Sequence, residues 1–134
     1  MAIQESVAVA NARLDAIETT VGTSPKLRLY SGAMPANCAA ARTGTLLCEM
    51  TLPSDWLAAA SAGAKAKSGT WTGTGAAAGS AGYWAIMDSA GTTCHMQGTV
   101  TATGGGGDMT LDNIVIAAAQ VVTVSTFTLT DGNA

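Results

Sequence analysis

The chain has 134 residues, a length that suits one domain with its own hydrophobic core rather than two. Charged residues make up only 11% of it, against about 25% in an average soluble domain. The net charge of −3 and the absence of clustered Lys and Arg argue against a nucleic-acid binder.

The low charge leaves two interpretations of the surface. Either it is a threonine-rich β-surface that stays hydrated without ionising, or a partner covers much of it. We expect no membrane span and no secretory signal, because apolar runs are short and the N-terminus lacks a basic region. Cys38, Cys48 and Cys94 match no disulfide spacing, so we expect assembly in a reducing cytoplasm.

Residues 1–22 contain no proline and no internal glycine, and their apolar residues recur at spacings of four and three. That periodicity predicts a helix over about residues 3–20, which Gly22 and Pro25 then terminate. The stripe either packs on its own domain or forms a dimerisation or docking surface, and its narrowness and terminal position favour docking. The candidate interface residues are Ile3, Val7, Ala10, Leu14, Ile17 and Val21.

Residues 23–134 follow the period-2 alternation of β-strands. Extended segments are predicted in "KLRLYSG", "GTLLCEMTLP", the stretch around Lys65 and Lys67, "DMTLDNIVI" and "QVVTVSTFTLT". Two more flank "DSAG", whose glycine suits a tight hairpin turn. About seven or eight short strands with glycine-rich turns predict an all-β sandwich or barrel.

The only histidine, His95, directly follows Cys94. In a regular strand Cys94 and Met96 would face one way while His95 and Gln97 face the other, which excludes a nucleophile–base pair. No zinc-ligand spacing is present either. We therefore predict that Cys94 is a small core residue and that His95 lies on the surface or in an interface.

Other candidate chemistry is weak. Asp108 and Asp112 would share one strand face and could bind calcium with loop carbonyls, although solvated acids are the commoner explanation. Trp71 either belongs to a sugar-binding platform or fills the core. We predict no catalytic, cofactor or metal site, and we predict that the chain is not an enzyme.

Four sequence motifs together resemble those of a known protein family. They are "Y-S-G-x-x-P-A" at the end of the first strand, the "G-T-L-L" strand, the "D-S-x-G-T" hairpin and the final "V-x-V-S-x-F-T-L-T" strand. Spanning essentially the whole chain, they are similar to the jelly-roll cement, or decoration, proteins of tailed bacteriophages. The resemblance implies a jelly-roll-like antiparallel β-sandwich of about eight strands preceded by one N-terminal α-helix. The resemblance assigns no functional role to any individual residue of this chain.

The resemblance also implies a function. Such a protein binds the outer capsid surface as a homodimer and cements neighbouring subunits of the major capsid protein, with no cofactor, nucleic acid or membrane involved. It would assemble in the cytoplasm of the host bacterium. Two alternatives stay open: another virion part, such as a tail or head–tail completion protein, and a carbohydrate-binding jelly-roll module.

Overall fold

The predicted N-terminal helix is present in the computed structural model, which describes residues 3–131. Helix α1 spans Val7–Val21, so it begins four residues later than the apolar periodicity predicts. It begins there because the Ser6 side chain accepts a hydrogen bond from the Val9 amide at 3.3 Å and caps the first turn. It ends at Gly22, whose φ of 91° suits glycine and whose amide donates to the Glu18 carbonyl.

Ten β-strands follow the helix. They are β1 Lys26–Ser31, β2 Leu46–Thr51, β3 Ala64–Ala66, β4 Trp71–Gly75, β5 Gly79–Met87, β6 Cys94–Ala102, β7 Met109–Leu111, β8 Val115–Ile116, β9 Val121–Val124 and β10 Thr128–Thr130. The prediction of a β-rich chain with one helix is therefore confirmed for the described residues. The strand number exceeds the predicted eight because "DMTLDNIVI" and "QVVTVSTFTLT", each predicted as one strand, contain two each, β7 with β8 and β9 with β10, and because β4 lies outside the predicted segments.

Most of the strands form one large sheet with the order β7-β6-β5-β1-β2-β4-β9, and β8 pairs with β5 beside this path. The end strands β7 and β9 approach each other, so the sheet is nearly closed. β10 and β3 form a separate two-stranded sheet. β6 and β7 run parallel, which corrects the prediction of a purely antiparallel arrangement.

The predicted hairpin around "DSAG" is confirmed as β5 and β6. The Asp88 carbonyl accepts from the Gly91 amide at 2.9 Å, and Gly91 has a φ of 74°. The Asp88 carboxylate accepts from the Thr92 and Thr93 amides, and these two hydrogen bonds lower its pKa. The aspartate and the glycine thus fix the turn together.

Aromatic side chains fill the main core inside the sheet. The Phe127 ring lies 5.3 Å from that of Trp71 and 5.4 Å from that of Trp84, measured between centroids. Trp71 is fully buried, so it belongs to the core and not to an exposed sugar platform. On the opposite face of the sheet, the rings of Tyr30 and Tyr83 stack at 5.0 Å in a smaller cluster.

Candidate interaction surface

Helix α1 is held against the β-domain by Lys65 of β3. Lys65 is the only charged residue that is buried in the described part of the chain, with 2% of its surface exposed. Its Nζ lies 2.7 Å from Asp15 Oδ1 and 2.9 Å from Glu18 Oε2, and it donates to the Ala58 carbonyl at 2.8 Å. Burial acts to lower the pKa of Lys65, but its hydrogen bonds to the two carboxylates outweigh burial and raise it.

The same contact acts on the helix side. The hydrogen bond from Lys65, followed by that from the Ala60 amide, lowers the pKa of Asp15. A second polar contact runs from the Gly63 amide to the Asn11 side chain at 3.0 Å. The helix position is therefore specified by hydrogen bonds in addition to apolar packing.

The structure divides the six candidate interface residues into two groups. Ala10, Leu14 and Val21 are buried in the chain's own domain, and Ile17 packs partly buried against the core. These four side chains are thus occupied by packing within the chain, as the alternative interpretation of the stripe expected.

Ile3 and Val7 remain outside that packing. Their side chains are 78% and 50% exposed, and the neighbouring Val9 is 47% exposed. We call Val7 and Val9, together with Ile3, which precedes α1, the exposed apolar end of the helix. Arg13 pairs with Glu5 before the helix and lies 3.1 Å from Asp131 after β10, so this end is tied to the domain.

Strand β6 contains a β-bulge that changes which side chains share a face. Ile86 of β5 pairs with Met96, whereas the next residue, Met87, pairs with Cys94, so His95 is an extra residue in β6. Met96 therefore packs against the main core, while Cys94 packs against the smaller cluster on the other face. The predicted pairing of Cys94 with Met96 on one face is wrong, because it assumed unbroken alternation.

His95 and Met96 line an apolar groove between β6 and helix α1. The groove has a volume of about 430 Å³, and Ile17 and Val21 form part of its helix wall. His95 is partly exposed there. This placement agrees with the prediction of a surface or interface residue.

Cys94 is a half-buried thiol next to Cys38. Burial, followed by the interaction with the neighbouring Cys38 thiol, raises the pKa of Cys94 to about 11, and the Cys94 thiol itself donates to the Met96 carbonyl at 3.3 Å. A thiol with so high a pKa is protonated at neutral pH and is a poor nucleophile. Arg42 and Gln97 hold the Cys38 loop in place: Arg42 donates to the Cys38 carbonyl and, at 2.7 Å, to Gln97 Oε1.

Asp108 has a local structural contact. Its carboxylate accepts from the Thr99 amide at 3.0 Å and from the Thr99 hydroxyl at 3.1 Å, which ties the glycine loop to β6. Only Met109–Leu111 form a strand, so Asp108 and Asp112 flank β7 instead of sharing a strand face. Across residues 3–131 no group of three or more His, Cys, Asp or Glu side chains is placed to hold a metal ion.

Sequence reasoning missed the role of Lys65 and the contact between Cys38 and Cys94. Asp15 and Glu18, three residues apart on one helix, are a signal that a cation faces them. Nothing in the cysteine spacing signals that Cys38 and Cys94 meet, because a long loop brings them together.

None of the helices in the described residues has the length and apolar character needed to cross a membrane. Comparison of the chain with known protein families, with curated proteins and with solved structures found no match.

Proposed function

We propose that this chain is a non-enzymatic structural protein of a tailed-phage virion, which binds the outer capsid surface and joins neighbouring major capsid protein subunits. The observation that carries the proposal is the exposed apolar end of the helix, held by Lys65 and Arg13 on a β-domain. In this proposal the nearly closed sheet is a variant of the jelly roll that the sequence resemblance implies.

The physical argument rests on repetition over a shell. A stable protein contact buries roughly 1,600 Å² in total, but weaker contacts suffice when one molecule touches two neighbouring subunits at once. A homodimer doubles the number of contacts without any new chemistry. A helix fixed before binding also loses little conformational freedom when it docks.

The test is co-sedimentation with decoration-free shells of the phage that encodes the chain. We expect wild-type protein to sediment with the shells and the Val7→Glu variant to stay in solution, because a carboxylate cannot be buried there without a partner. Val121→Glu is the matched control, since Val121 is also an exposed valine, at 69%, but belongs to strand β9 and not to the helix. Light scattering of the free protein tests the homodimer.

The outcomes separate the rival functions. Failure of the wild-type protein to bind shells would contradict the proposal, and equal binding by Val7→Glu would remove the helix end from it. Copy number per purified virion distinguishes the alternatives: a number comparable to that of the major capsid protein supports a shell protein. A number comparable to that of tail parts supports a tail or head–tail protein.

A further inference from the structure

The indole of Trp84 lacks a hydrogen-bond partner. Its Nε1 is the one buried side-chain nitrogen or oxygen without a partner between residues 3 and 131, and Trp84 is only 3% exposed. The other two tryptophans are satisfied: Trp56 donates to the Gly22 carbonyl and Trp71 to the Ser68 carbonyl, each at 3.1 Å. Buried donors are nearly always paired, so this N–H is exceptional, but less than 1 Å² of the nitrogen is exposed and no acceptor from outside reaches it in this conformation.

Trp84 lies in the floor of a groove between β6 and β10, which we call the β6–β10 groove. Its volume is about 320 Å³, Phe127 also lines it, and its walls include Gln97 of β6 and Thr128 and Thr130 of β10. A Cβ atom added at Gly98 of β6 would come within 2.7 Å of Trp84 Nε1. The missing side chain at Gly98 therefore lets the indole lie against β6 beside the groove.

The β6 wall presents an open strand edge. Residues 94–98 pair only with β5, because β7 pairs with the later residues 100–102. The Thr99 amide donates to Asp108, so it points away from β5. Amide direction alternates along an antiparallel strand, so the backbone N–H and C=O of Gln97 also point away from β5.

The β10 wall presents a second open edge. The Phe127 carbonyl accepts from Lys67 and the Asp131 amide donates to the Gly63 carbonyl, so these two residues face the β3 side. By the same alternation, the backbone groups of Thr128 and Thr130 face away from β3. No other strand of the described chain pairs with β10.

We propose that the β6–β10 groove binds an extended peptide segment of a partner chain, which adds a strand between β6 and β10. Backbone groups on both walls would pair with the peptide backbone, and the Trp84 ring would lie beneath it in the floor of the groove. Asp108 is the only charged residue that lines the groove. Charge complementarity therefore favours a segment that is uncharged except for a lysine or arginine at the Asp108 end.

The proposal does not depend on the capsid function and can be tested without a known partner. The probe is a random nonapeptide library with capped termini, selected for binding to the full folded chain. We expect enriched peptides to shift the indole N–H resonance of Trp84, which lines the groove, and to leave those of Trp56 and Trp71 unchanged, since neither of these lines it. We also expect the enriched sequences to contain Lys or Arg at one end.

A proline on β10 provides the blocking variant. Thr128→Pro removes an amide that faces the groove and leaves the pairing with β3 intact, and proline is tolerated on such an edge. It should weaken binding at least about tenfold, whereas Thr128→Val, which keeps the amide, should change it less than about twofold. If Thr128→Pro does not fold, as judged by circular dichroism, Thr130→Pro makes the same test at the next outward amide.

Two outcomes overturn the proposal: no peptide is enriched, or the enriched peptides leave the Trp84 resonance unchanged and bind the proline variant as tightly as wild type. The shell assay then separates this inference from the proposed function. Loss of shell binding by Thr128→Pro would place a capsid segment in the groove. Normal shell binding by a variant that no longer binds peptide would assign the groove to a different partner.

Discussion

Replacing Lys65 with methionine tests whether the buried ion pairs hold helix α1 to the β-domain. Methionine fills most of the same volume, so the change removes the charge without opening a large cavity. It leaves Glu18, 23% exposed, and Asp15, 51% exposed, facing an apolar side chain, and it removes the donor to the Ala58 carbonyl. Removal of one partner from a buried ion pair costs about 3–5 kcal/mol, and solvent at the two acids favours the lower end.

We therefore expect Lys65→Met to lower the free energy of unfolding by about 3 kcal/mol, and the Tm by about 10 °C for a domain of this size. Urea unfolding followed by tryptophan fluorescence measures the change. The control is Lys67→Met: Lys67 Nζ donates to the Gly69 carbonyl and lies 5.8 Å from the Trp71 ring centroid. That variant should lose less than about 1 kcal/mol.

A further variant removes all three charges, with Asp15→Asn and Glu18→Gln added to Lys65→Met. It should recover part of the loss, because no carboxylate then lacks a cation. The reasoning is refuted if Lys65→Met is no less stable than Lys67→Met. Amide hydrogen exchange in α1 should increase in Lys65→Met alone, which locates the effect in the helix.

Two titrations give further expectations. Burial acts to raise the pKa of Glu49, but hydrogen bonds, first that from Arg28, outweigh it and lower the pKa below the ordinary 4.5. The stability that Glu49 contributes is therefore present above about pH 4.5 and lost as the pH falls through the pKa of the folded state. In urea unfolding measured down to about pH 2, the midpoint of Glu49→Gln should fall less with decreasing pH than that of wild type. The pKa of Cys94 is about 11 against an ordinary 9.0. At pH 8, iodoacetamide should therefore alkylate native Cys94 about 100-fold more slowly than the urea-unfolded chain, and equal rates in peptide mapping would contradict the assigned environment.

The secondary structure could be predicted from local pattern, and its errors have local causes. The spacing of apolar residues by four and three predicts α1. It carries no information about capping, so it places the start of the helix before Ser6, the residue that caps it. The β5–β6 hairpin was predicted because aspartate and glycine occupy the turn positions that require them. Alternation did not separate β7 from β8 within "DMTLDNIVI", because strands of three and two residues carry too little pattern.

The candidate sites depended on contacts between distant parts of the chain, which local pattern does not encode. One extra residue in β6 placed His95 and Met96 together in the helix groove, and nothing in "TTCHMQGTV" marks the bulge. The β6–β10 groove likewise exists only because β10 pairs with β3 and not with β6. Such features follow from sheet topology, which alternation alone leaves open.

The contacts of the basic residues bear on how the proposed capsid contact would respond to salt. All six of them contact groups of their own chain: Arg13, Lys26, Arg28, Arg42, Lys65 and Lys67. Few cations are left for a partner, so binding should rest on apolar contacts and backbone hydrogen bonds, which salt screens little. We therefore expect shell binding to change less than about threefold between about 50 and 500 mM NaCl. A steep loss of co-sedimentation over that range would show that charge pairing dominates the contact, and the exposed apolar end of the helix would then be the wrong surface.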